Sequence, residues 1–379
     1  MATISQPMRT GVRAEPIAGQ KSQAILWWAG AGVFCWLLQL YIFGSWWYYG
    51  DMKRVPPGPT PVPQWMDLAQ TANTWFWGAA IVVTLYWWVF KPLFKTGKMS
   101  VDGIFLLGFW AIWWQDALPN YNNLPFNYNS AMFNLGSWSC HIPGWQSPGG
   151  CLLAEPLAWD LAFYIVLSAL AVIFGTRWMQ SMKSRNPNMS TPKLFFNYFV
   201  AIAIGDFIVE MIWVAMGLYH YGGMPNHLSI LNDTRFKFPI FEPILIGACF
   251  VGFAAFYYFR NDKGETLAER GLDQVNVSSS GKQWLRFFAF SGAINAAFFT
   301  LFSVPHILIN LNGDAWPKEI QELSWYTHGL CGADTSFVCQ GKNVALPRRD
   351  AINIGPNGEI TMPENAQVPQ LVPFKLTVD

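Results

Sequence analysis

Long apolar runs alternate with shorter polar segments along most of the chain. Seven such runs approach the roughly 20 residues that a helix needs to cross the hydrocarbon of a bilayer. They lie at residues 24–49, 72–90, 103–117, 157–174, 194–219, 240–259 and 284–309. Tryptophan and tyrosine crowd their ends, as at Trp46, Trp47 and Trp87, which is typical of an aromatic belt at the membrane surface. The pattern predicts an all-α, polytopic bundle of about seven transmembrane helices.

Basic residues mark one side of the predicted membrane. They precede the first run and follow the second, fourth and sixth, at Arg9, Arg13, Lys21, Lys91, Lys95, Lys98, Arg177, Lys183, Arg185, Arg260, Lys263 and Arg270. The alternate segments are poorer in positive charge, apart from Lys53 and Arg54. Because positively charged loops stay in the cytoplasm, we expect a cytoplasmic N-terminus and an extracytoplasmic C-terminus. The expected location is the plasma membrane, crossed several times.

The polar ends divide the chain into three parts. Residues 1–23 form a predicted cytoplasmic tail, 24–312 a transmembrane helical domain, and 313–379 an extracytoplasmic segment. No cleavable signal peptide is expected, because the first apolar run is long and rich in tryptophan. The predicted outer loop at 118–156 is dense in Asn, Trp, Gly and Pro, and its length is typical of a lid.

The composition also favours a membrane protein. Hydrophobic residues make up 52% of the 379 and charged residues only 12%, whereas a soluble domain carries about 25% charge. The formal net charge of +1 leaves no basic excess for binding nucleic acid. The expected partners are membrane lipid and a lipophilic small molecule.

The six cysteines sort by predicted location. Two of them lie inside apolar runs, while Cys140 and Cys151 share the long outer loop and Cys331 and Cys339 share the C-terminal segment. An oxidising exterior favours disulfides within each of these two pairs, and four free thiols are the alternative. The Cys and His spacings of a zinc site are absent from the sequence, so neither a structural metal nor a cofactor is predicted.

Five acidic residues fall at predicted membrane depth, where a charge costs several kcal/mol and marks a functional candidate. They are Asp116, Glu155, Asp206, Glu210 and Glu242. The apolar runs that contain or adjoin them hold no lysine or arginine as a partner. Because the helices alternate in direction, we expect these carboxyls toward the outer leaflet, collected by a single pocket.

Asp206 and Glu210 carry the most specific prediction. Residues four apart lie on one helical face, about one turn from each other. Two carboxyls so placed in a dry site resist double ionisation, so that one serves as an acid and the other as a base. The side chains suited to line the pocket and bind a substrate are Trp113, Trp114, Asn197, Trp213, Tyr219, His220 and Asn295.

Each candidate also has a structural interpretation. Glu155 and Glu242 directly precede prolines and suit helix starts, where carboxylates interact well with exposed amides. Asp116 suits an interfacial position held by loop amides. The carboxyls within the fifth run could form a purely structural polar network, and His306 is more often a packing residue than a base.

Several patches of sequence match a known family. They are WWQD at 113–116, NY at 120–121, NLGSW at 134–138, IPGW at 142–145, AEP at 154–156, YYFRND at 257–262 followed by Gly264, AERGLD at 268–273, GLCG at 329–332 and PRR at 347–349. On these residues the chain resembles the AveC-like spirocyclase family of membrane proteins, named for the enzyme that forms the spiroketal of avermectin. The similarity runs from the third apolar run to the tail.

The resemblance implies a cyclase that converts a dihydroxy ketone of polyketide type into a spiroketal of one configuration. It assigns no catalytic residue, so the predicted site depends on the buried carboxyls alone. A carboxylic acid would protonate the ketone or its hemiketal hydroxyl, water would leave, and aromatic faces would shield the oxocarbenium ion. A carboxylate would then remove the proton of the attacking hydroxyl, and no cofactor is needed.

Two other functions fit the same residues. A terpene- or epoxide-type membrane cyclase would use similar carboxyls and aromatic walls, so only a substrate test separates it. A non-enzymatic carrier or binding protein for lipophilic metabolites is the second alternative. Transporters often show inverted repeats, and the sequence shows none, which weighs against a carrier.

Overall fold

In the computed structural model of the protein, all seven apolar runs form helices. The structure describes residues 23–122, 124–145 and 150–332, residues 335 and 339, and short strands at 353–354 and 360–361. The long helices are α1 (Ala24–Tyr48), α2 (Gln64–Thr96), α3 (Val101–Gly108), α4 (Leu157–Arg185), α5 (Thr191–Ala215), α6 (Glu242–Tyr258) and α7 (Ser279–Asn310). A 3₁₀ segment, Phe109–Gln115, continues α3. One-turn π-helical segments interrupt α2, α4 and α7.

Five of these helices, α1, α2, α4, α5 and α7, are long and apolar enough to cross a membrane. Helix α6 is apolar but has 17 residues. Helix α3 reaches its full length only with the 3₁₀ segment that follows it. The protein is therefore a mainly helical membrane protein, while seven crossings and the orientation of the termini stay predictions.

Short elements fill the connections. The helical ones are Ala117–Tyr121, Ser139–His141, Gly150–Leu152, Asn226–Leu228, Leu272–Gln274, Lys318–Gln321 and Ser324–Thr327. Among the described residues, three antiparallel pairs join strands of two residues each: Asn127–Tyr128 with Tyr219–His220, Ser229–Ile230 with Phe238–Pro239, and Asn353–Ile354 with Ile360–Thr361. The predicted mainly helical class is confirmed, and the short strand pairs lie in the connecting loops.

The connections collect at two ends of the bundle, because the helices alternate in direction. One end concentrates the basic residues of the described chain, among them Lys95, Lys98, Arg177, Lys183, Arg260, Lys263 and Arg270. The other end carries the longer connections, which fold together over the helix ends. We call the described residues of 49–63, 117–156, 216–241 and 311–332 the cap.

Hydrogen bonds between segments far apart in sequence hold the cap together. The amide of Ser130 donates to the carbonyl of Trp325 at 2.9 Å. The amide of Val55 donates to the side-chain oxygen of Asn134, also at 2.9 Å. Asn134 additionally forms a β-bridge with Pro156, directly before α4. Residues 313–332 of the predicted C-terminal segment thus belong to the cap, whereas residues 1–22 and Pro347 to Arg349 lie outside the described residues.

Helices α1 and α7 pack closely enough for their backbones to touch. A Cβ atom added to Gly32 would overlap the carbonyl of Phe288, and one added to Gly292 would overlap the carbonyl of Trp28. Small residues permit such an approach between membrane helices, where van der Waals packing drives association. This contact fixes α7, and with it His306, relative to the N-terminal helix.

Both predicted cysteine pairs are confirmed. Cys140 is bonded to Cys151 with a Cα–Cα distance of 5.3 Å, and Cys331 to Cys339 with 4.8 Å. Cys35 and Cys249 are free. The first disulfide closes a loop in the cap just before Glu155, and the second closes a turn at the end of the described cap.

Candidate active site

The structure sorts the acidic candidates into two groups rather than one pocket. The first, which we call the cap triad, consists of Asp116, Glu155 and Asp160. The second, which we call the bundle group, consists of Asp206, Glu210 and Glu242 together with His306.

The cap triad joins three separate parts of the chain. Asp116 follows the 3₁₀ segment after α3, Glu155 lies in the cap just before α4, and Asp160 lies in the first turn of α4. One oxygen from each side chain lies within 4.8 Å of the other two. The residues are 5%, 0% and 1% exposed, respectively. Three acidic groups are thus gathered in a site closed to water.

Neutral donors hold the triad from outside. Tyr164 donates to Asp116 Oδ1 at 2.6 Å, and Asn120 donates to its Oδ2 at 2.9 Å. The Ser137 hydroxyl donates to Glu155 Oε1 at 3.2 Å. Further donors are Tyr128, to Asp116, and Trp113, to Asp160. Glu155 Oε2 and Asp160 Oδ1 are buried and accept from none of these donors.

Burial dominates the electrostatics of Glu155. Loss of hydration raises the pKa of its carboxyl well above the usual range, and the neighbouring Asp116 and Asp160 raise it further. No lysine or arginine side chain of the described chain donates to the triad. The three negative charges therefore cannot coexist there without protons or a bound cation.

Asp160 was missed by the sequence prediction. It lies inside the fourth apolar run, residues 157–174, but is not among the five acidic candidates predicted from the sequence. The criterion that selected the other candidates, an acidic residue in an apolar run without lysine or arginine, applies to it equally. Applied to every acidic residue, that criterion finds it.

The bundle group draws on three helices. Asp206 and Glu210 lie one turn apart on α5, Glu242 is the first residue of α6, and His306 lies on α7. The hydroxyl of Tyr221, in the cap, donates to Glu210 Oε2 at 2.5 Å. Asp206 and Glu210 are thus neighbours on one helical face, and Glu242 of the next helix adds a third carboxyl beside them.

His306 and Glu242 form a close pair. His306 Nε2 lies 3.0 Å from Glu242 Oε2, and both side chains are buried. The amide nitrogen of Asn310 lies 2.8 Å from His306 Nδ1. Because an amide nitrogen only donates, Nδ1 accepts this bond and the ring hydrogen lies on Nε2, the nitrogen that is 3.0 Å from Glu242 Oε2. The sequence predicted a packing role for His306, and the structure places it beside a carboxylate instead.

Asp206 occupies a boundary between the bundle interior and its outer surface. Its Oδ2 is buried and has no hydrogen-bond partner. Around it α5 exposes Ile204, Phe207 and Ile208, whose exposed fractions are 56%, 38% and 53%. In a membrane-spanning helix these exposed apolar side chains face lipid. A lipophilic molecule in the bilayer can thus approach Asp206 from the side.

Aromatic rings lie between the two groups. Tyr128, which donates to Asp116, is the cross-strand partner of Tyr219, with ring centroids 6.0 Å apart. Phe126 packs on Tyr219 at 4.8 Å and on Tyr221 at 5.1 Å. This aromatic layer explains why the carboxyls form two separate groups, because its rings fill the space in which a common pocket was expected.

Three other residues that were predicted to line the pocket do not lie beside the bundle group in a way that would line it: two of them join helices, and one is distant from Asp206. Asn295 bridges α7 and the 3₁₀ segment: its amide donates to the carbonyl of Ala111 at 3.0 Å, and its oxygen accepts from Gln115 at 2.8 Å. Trp114 donates to the same oxygen at 3.2 Å. Both side chains are thus occupied in joining helices. Asn197 precedes Asp206 by two and a half turns of α5, about 14 Å along the axis.

Trp213 lies in the last turn of α5, next to the cap, and His220 lies in the cap itself. Trp213 packs edge-on against Trp159 with centroids 4.2 Å apart. His220 lies between Trp316 and Tyr326, and burial lowers its pKa to about 3. His220 is consequently neutral and has a structural position rather than one beside the carboxyls.

A family model for the Spirocyclase AveC-like proteins matches residues 97–326, more than half of the chain. The chain belongs to the AveC-like spirocyclase family. Every carboxyl of the cap triad and the bundle group lies within the matched region, as does His306. The GLCG and PRR patches at 329–332 and 347–349 lie beyond it. No curated protein and no solved structure matches the chain. Membership in this spirocyclase family implies that the protein is a membrane-embedded cyclase.

Proposed function

We propose that the protein forms a spiroketal from a lipophilic, polyketide-like dihydroxy ketone, with the bundle group as its catalytic site. The observation that carries this proposal is the buried, unpartnered Asp206 Oδ2, which lies beside two further carboxyls and next to the exposed apolar side chains of α5. Membership in a spirocyclase family supports the reaction class. The predicted location, the plasma membrane with the cap outside, is part of the proposal.

Asp206 is the proposed acid and Glu210 the proposed base. An ionised carboxylate without a partner is costly in a dry site, so Asp206 is best suited to carry a proton. Glu210 accepts a hydrogen bond from Tyr221, which stabilises its charged form. The two carboxyls thus have different surroundings, as an acid and a base require. Glu242, whose Oε2 lies 3.0 Å from His306 Nε2, is a positioning residue of the group.

The reaction balances without a redox cofactor. One substrate hydroxyl adds to the ketone carbon and gives a hemiketal. Asp206 protonates the hemiketal hydroxyl, the carbon–oxygen bond breaks, and water leaves an oxocarbenium ion. The second hydroxyl attacks this carbon while Glu210 takes its proton, so one molecule of spiroketal and one of water are formed. Proton transfer back to Asp206 restores the starting state.

Aromatic side chains near the group suit the proposed intermediate. Phe241 and Phe302 pack on His306 with ring centroids 5.7 and 5.4 Å away, and Tyr219 lies near Glu210. Faces of such rings stabilise a cation. A rigid apolar wall would also hold the substrate chain in one conformation, which would set the configuration of the product.

The test uses the purified protein in detergent with a synthetic dihydroxy ketone. Such ketones cyclise slowly in acid without an enzyme, so the ratio of spiroketal isomers is the informative readout. We expect one isomer from the wild type, and the uncatalysed mixture at the background rate from Asp206→Asn and Glu210→Gln.

Asp67→Asn provides a matched control, since Asp67 is an exposed acidic residue in the first turn of α2. This variant should behave as the wild type does. The uncatalysed mixture from all four proteins would refute spirocyclisation of this substrate class. In that case, the same variants would be tested next for turnover of a terpene or epoxide substrate and for transport of a lipophilic metabolite.

A further inference from the structure

We propose that the cap triad binds a hard divalent cation, Ca²⁺ in particular, which fastens the cap to the bundle. This site is separate from the proposed catalytic group and does not depend on the proposed function.

The first argument is charge. Asp116, Glu155 and Asp160 are each at most 5% exposed, and the side chains that donate to them are all neutral. Buried charges in proteins are paired or coordinate a metal. A divalent cation would neutralise most of this charge at once.

The second argument is the use of each carboxyl oxygen. Glu155 Oε1 accepts from Ser137, and Asp160 Oδ2 accepts from Trp113, while Glu155 Oε2 and Asp160 Oδ1 are buried and accept from neither donor. Glu155 and Asp160 each also lie within hydrogen-bonding distance of Asp116, so the carboxyls converge on one another. Metal ligands typically show this division, because outer donors fix the orientation of a carboxylate whose free oxygen binds the ion. Tyr164 and Asn120 orient Asp116 in the same way.

The third argument is size and ligand type. Three oxygens within 4.8 Å of one another lie at most about 2.8 Å from a common centre, so a small inward movement would bring them to the range of Ca²⁺–oxygen bonds, about 2.3–2.6 Å. Mg²⁺ requires a tighter set at about 2.0–2.1 Å. Carboxylates favour such hard ions over zinc or copper, and water would fill the remaining coordination positions.

The position gives the ion a mechanical role. Glu155 belongs to the cap, whereas Asp160 belongs to α4 and Asp116 follows the 3₁₀ segment after α3. The indole nitrogen of Trp138, in the cap, donates to the carbonyl of Trp114, in the 3₁₀ segment, at 3.1 Å, so the cap already approaches the bundle here. A bound cation would close this junction, and its removal would loosen the cap.

The test starts with wild-type protein purified in detergent without chelator. Elemental analysis should find about one calcium ion per chain, consistent with a single three-carboxylate site. Treatment with EGTA should lower the unfolding temperature, and Ca²⁺ should restore it more fully than Mg²⁺ at equal concentration. Asp160→Asn and Glu155→Gln should lose the ion, while Asp206→Asn, with the same chemical change in the bundle group, should keep it.

A second readout uses the wild type alone, in case the triad variants fail to fold. Tb³⁺, which mimics Ca²⁺, should show luminescence sensitised by tryptophan, because Trp113 contacts Asp160 directly. Added Ca²⁺ should compete this signal away. The proposal is overturned if wild type holds no stoichiometric ion, Ca²⁺ does not change its unfolding temperature, and Tb³⁺ gives no sensitised signal. Such a triad would share protons instead, and the cyclase test would be unaffected.

Discussion

The cap triad and the bundle group have similar compositions but different surroundings. Each gathers three carboxyls, which are all buried in the cap triad, whereas in the bundle group Glu210 and Glu242 are buried and Asp206 is half-buried. In the cap triad, neutral donors hold every carboxyl, and the cap covers the site. In the bundle group, Asp206 has a buried oxygen without a partner and lies beside exposed apolar residues of α5.

The difference shows that acidic residues at membrane depth have more than one use. Carboxyls that are oriented from outside and enclosed are suited to hold an ion. Carboxyls with unequal partners, near a route for substrate, are suited to exchange protons. The surroundings of each oxygen, and not the number of charges, therefore decide between a structural and a catalytic assignment.

The largest expected effect is a loss of stability at the contact between the cap and the bundle. Trp138 is fully buried and packs on Phe43, Trp46 and Trp113 with ring centroids 4.9, 5.8 and 5.0 Å away. Trp138→Ala should lower the free energy of unfolding by about 3–5 kcal/mol, as expected for a large buried aromatic residue. Thermal unfolding in detergent measures this change. Trp75→Ala, at a side chain 77% exposed on α2, should change little and serves as the control.

Glu242→Gln should weaken catalysis without disturbing the cap. His306 would lose the carboxylate that faces its Nε2 hydrogen. We expect kcat to fall by about a hundredfold, the low end for a group in an acid–base site, with little change in KM. Partial recovery by Glu242→Asp would distinguish the carboxylate charge from mere packing. An unchanged kcat for Glu242→Gln would remove Glu242 and His306 from the site.

Tyr221→Phe tests the proposed base with a smaller change. The variant removes only the hydroxyl that donates to Glu210 at 2.5 Å. A hydrogen bond to a charged group contributes about 1.5–3 kcal/mol, so kcat should fall by roughly ten- to a hundredfold. The isomer ratio should stay that of the wild type, because Asp206 and Glu210 both remain. A loss of isomer selectivity would instead assign Tyr221 to substrate positioning.

The smallest expected effect is a dependence of stability on pH that arises from His220 in the cap. Burial, with the nearby His328 and Lys237, lowers the pKa of His220 to about 3, so folded His220 stays neutral while the unfolded side chain takes up a proton below about pH 6.5. Stability should therefore fall as the pH drops from about 6.5, by up to about 1.4 kcal/mol per pH unit from this group.

His220→Asn should flatten this dependence, since an asparagine oxygen can still accept from the Gly222 amide. Unfolding temperatures between pH 7 and pH 5, the window below the ordinary histidine pKa of about 6.5, measure the slope. His227→Asn, at an exposed histidine, is the control and should keep the wild-type slope. Equal slopes for wild type and His220→Asn would show that His220 is protonated in the folded state.

Much of the fold follows from local patterns. Apolar runs of membrane length become helices, and the spacing of four places Asp206 and Glu210 on one face of α5. Cysteines close in sequence form the two disulfides. These features depend on neighbours along the chain, which a single sequence displays directly.

The division of the carboxyls could not be predicted in this way. It depends on contacts such as Ser130 with Trp325, and on the pairing of Tyr128 with Tyr219, which join distant segments. A hydrophobic pattern indicates that a segment is buried but not which segment covers it. The pairing of His306 with Glu242 was missed for the same reason, because it joins α7 to α6.

The most direct test measures product and metal on the same preparations of Asp206→Asn and Asp160→Asn. We predict that Asp206→Asn gives the uncatalysed isomer mixture and keeps its calcium. Asp160→Asn should lose its calcium and still give the single wild-type isomer. The reverse result, with isomer selectivity lost in Asp160→Asn and kept in Asp206→Asn, would contradict the account and move the catalytic site to the cap triad.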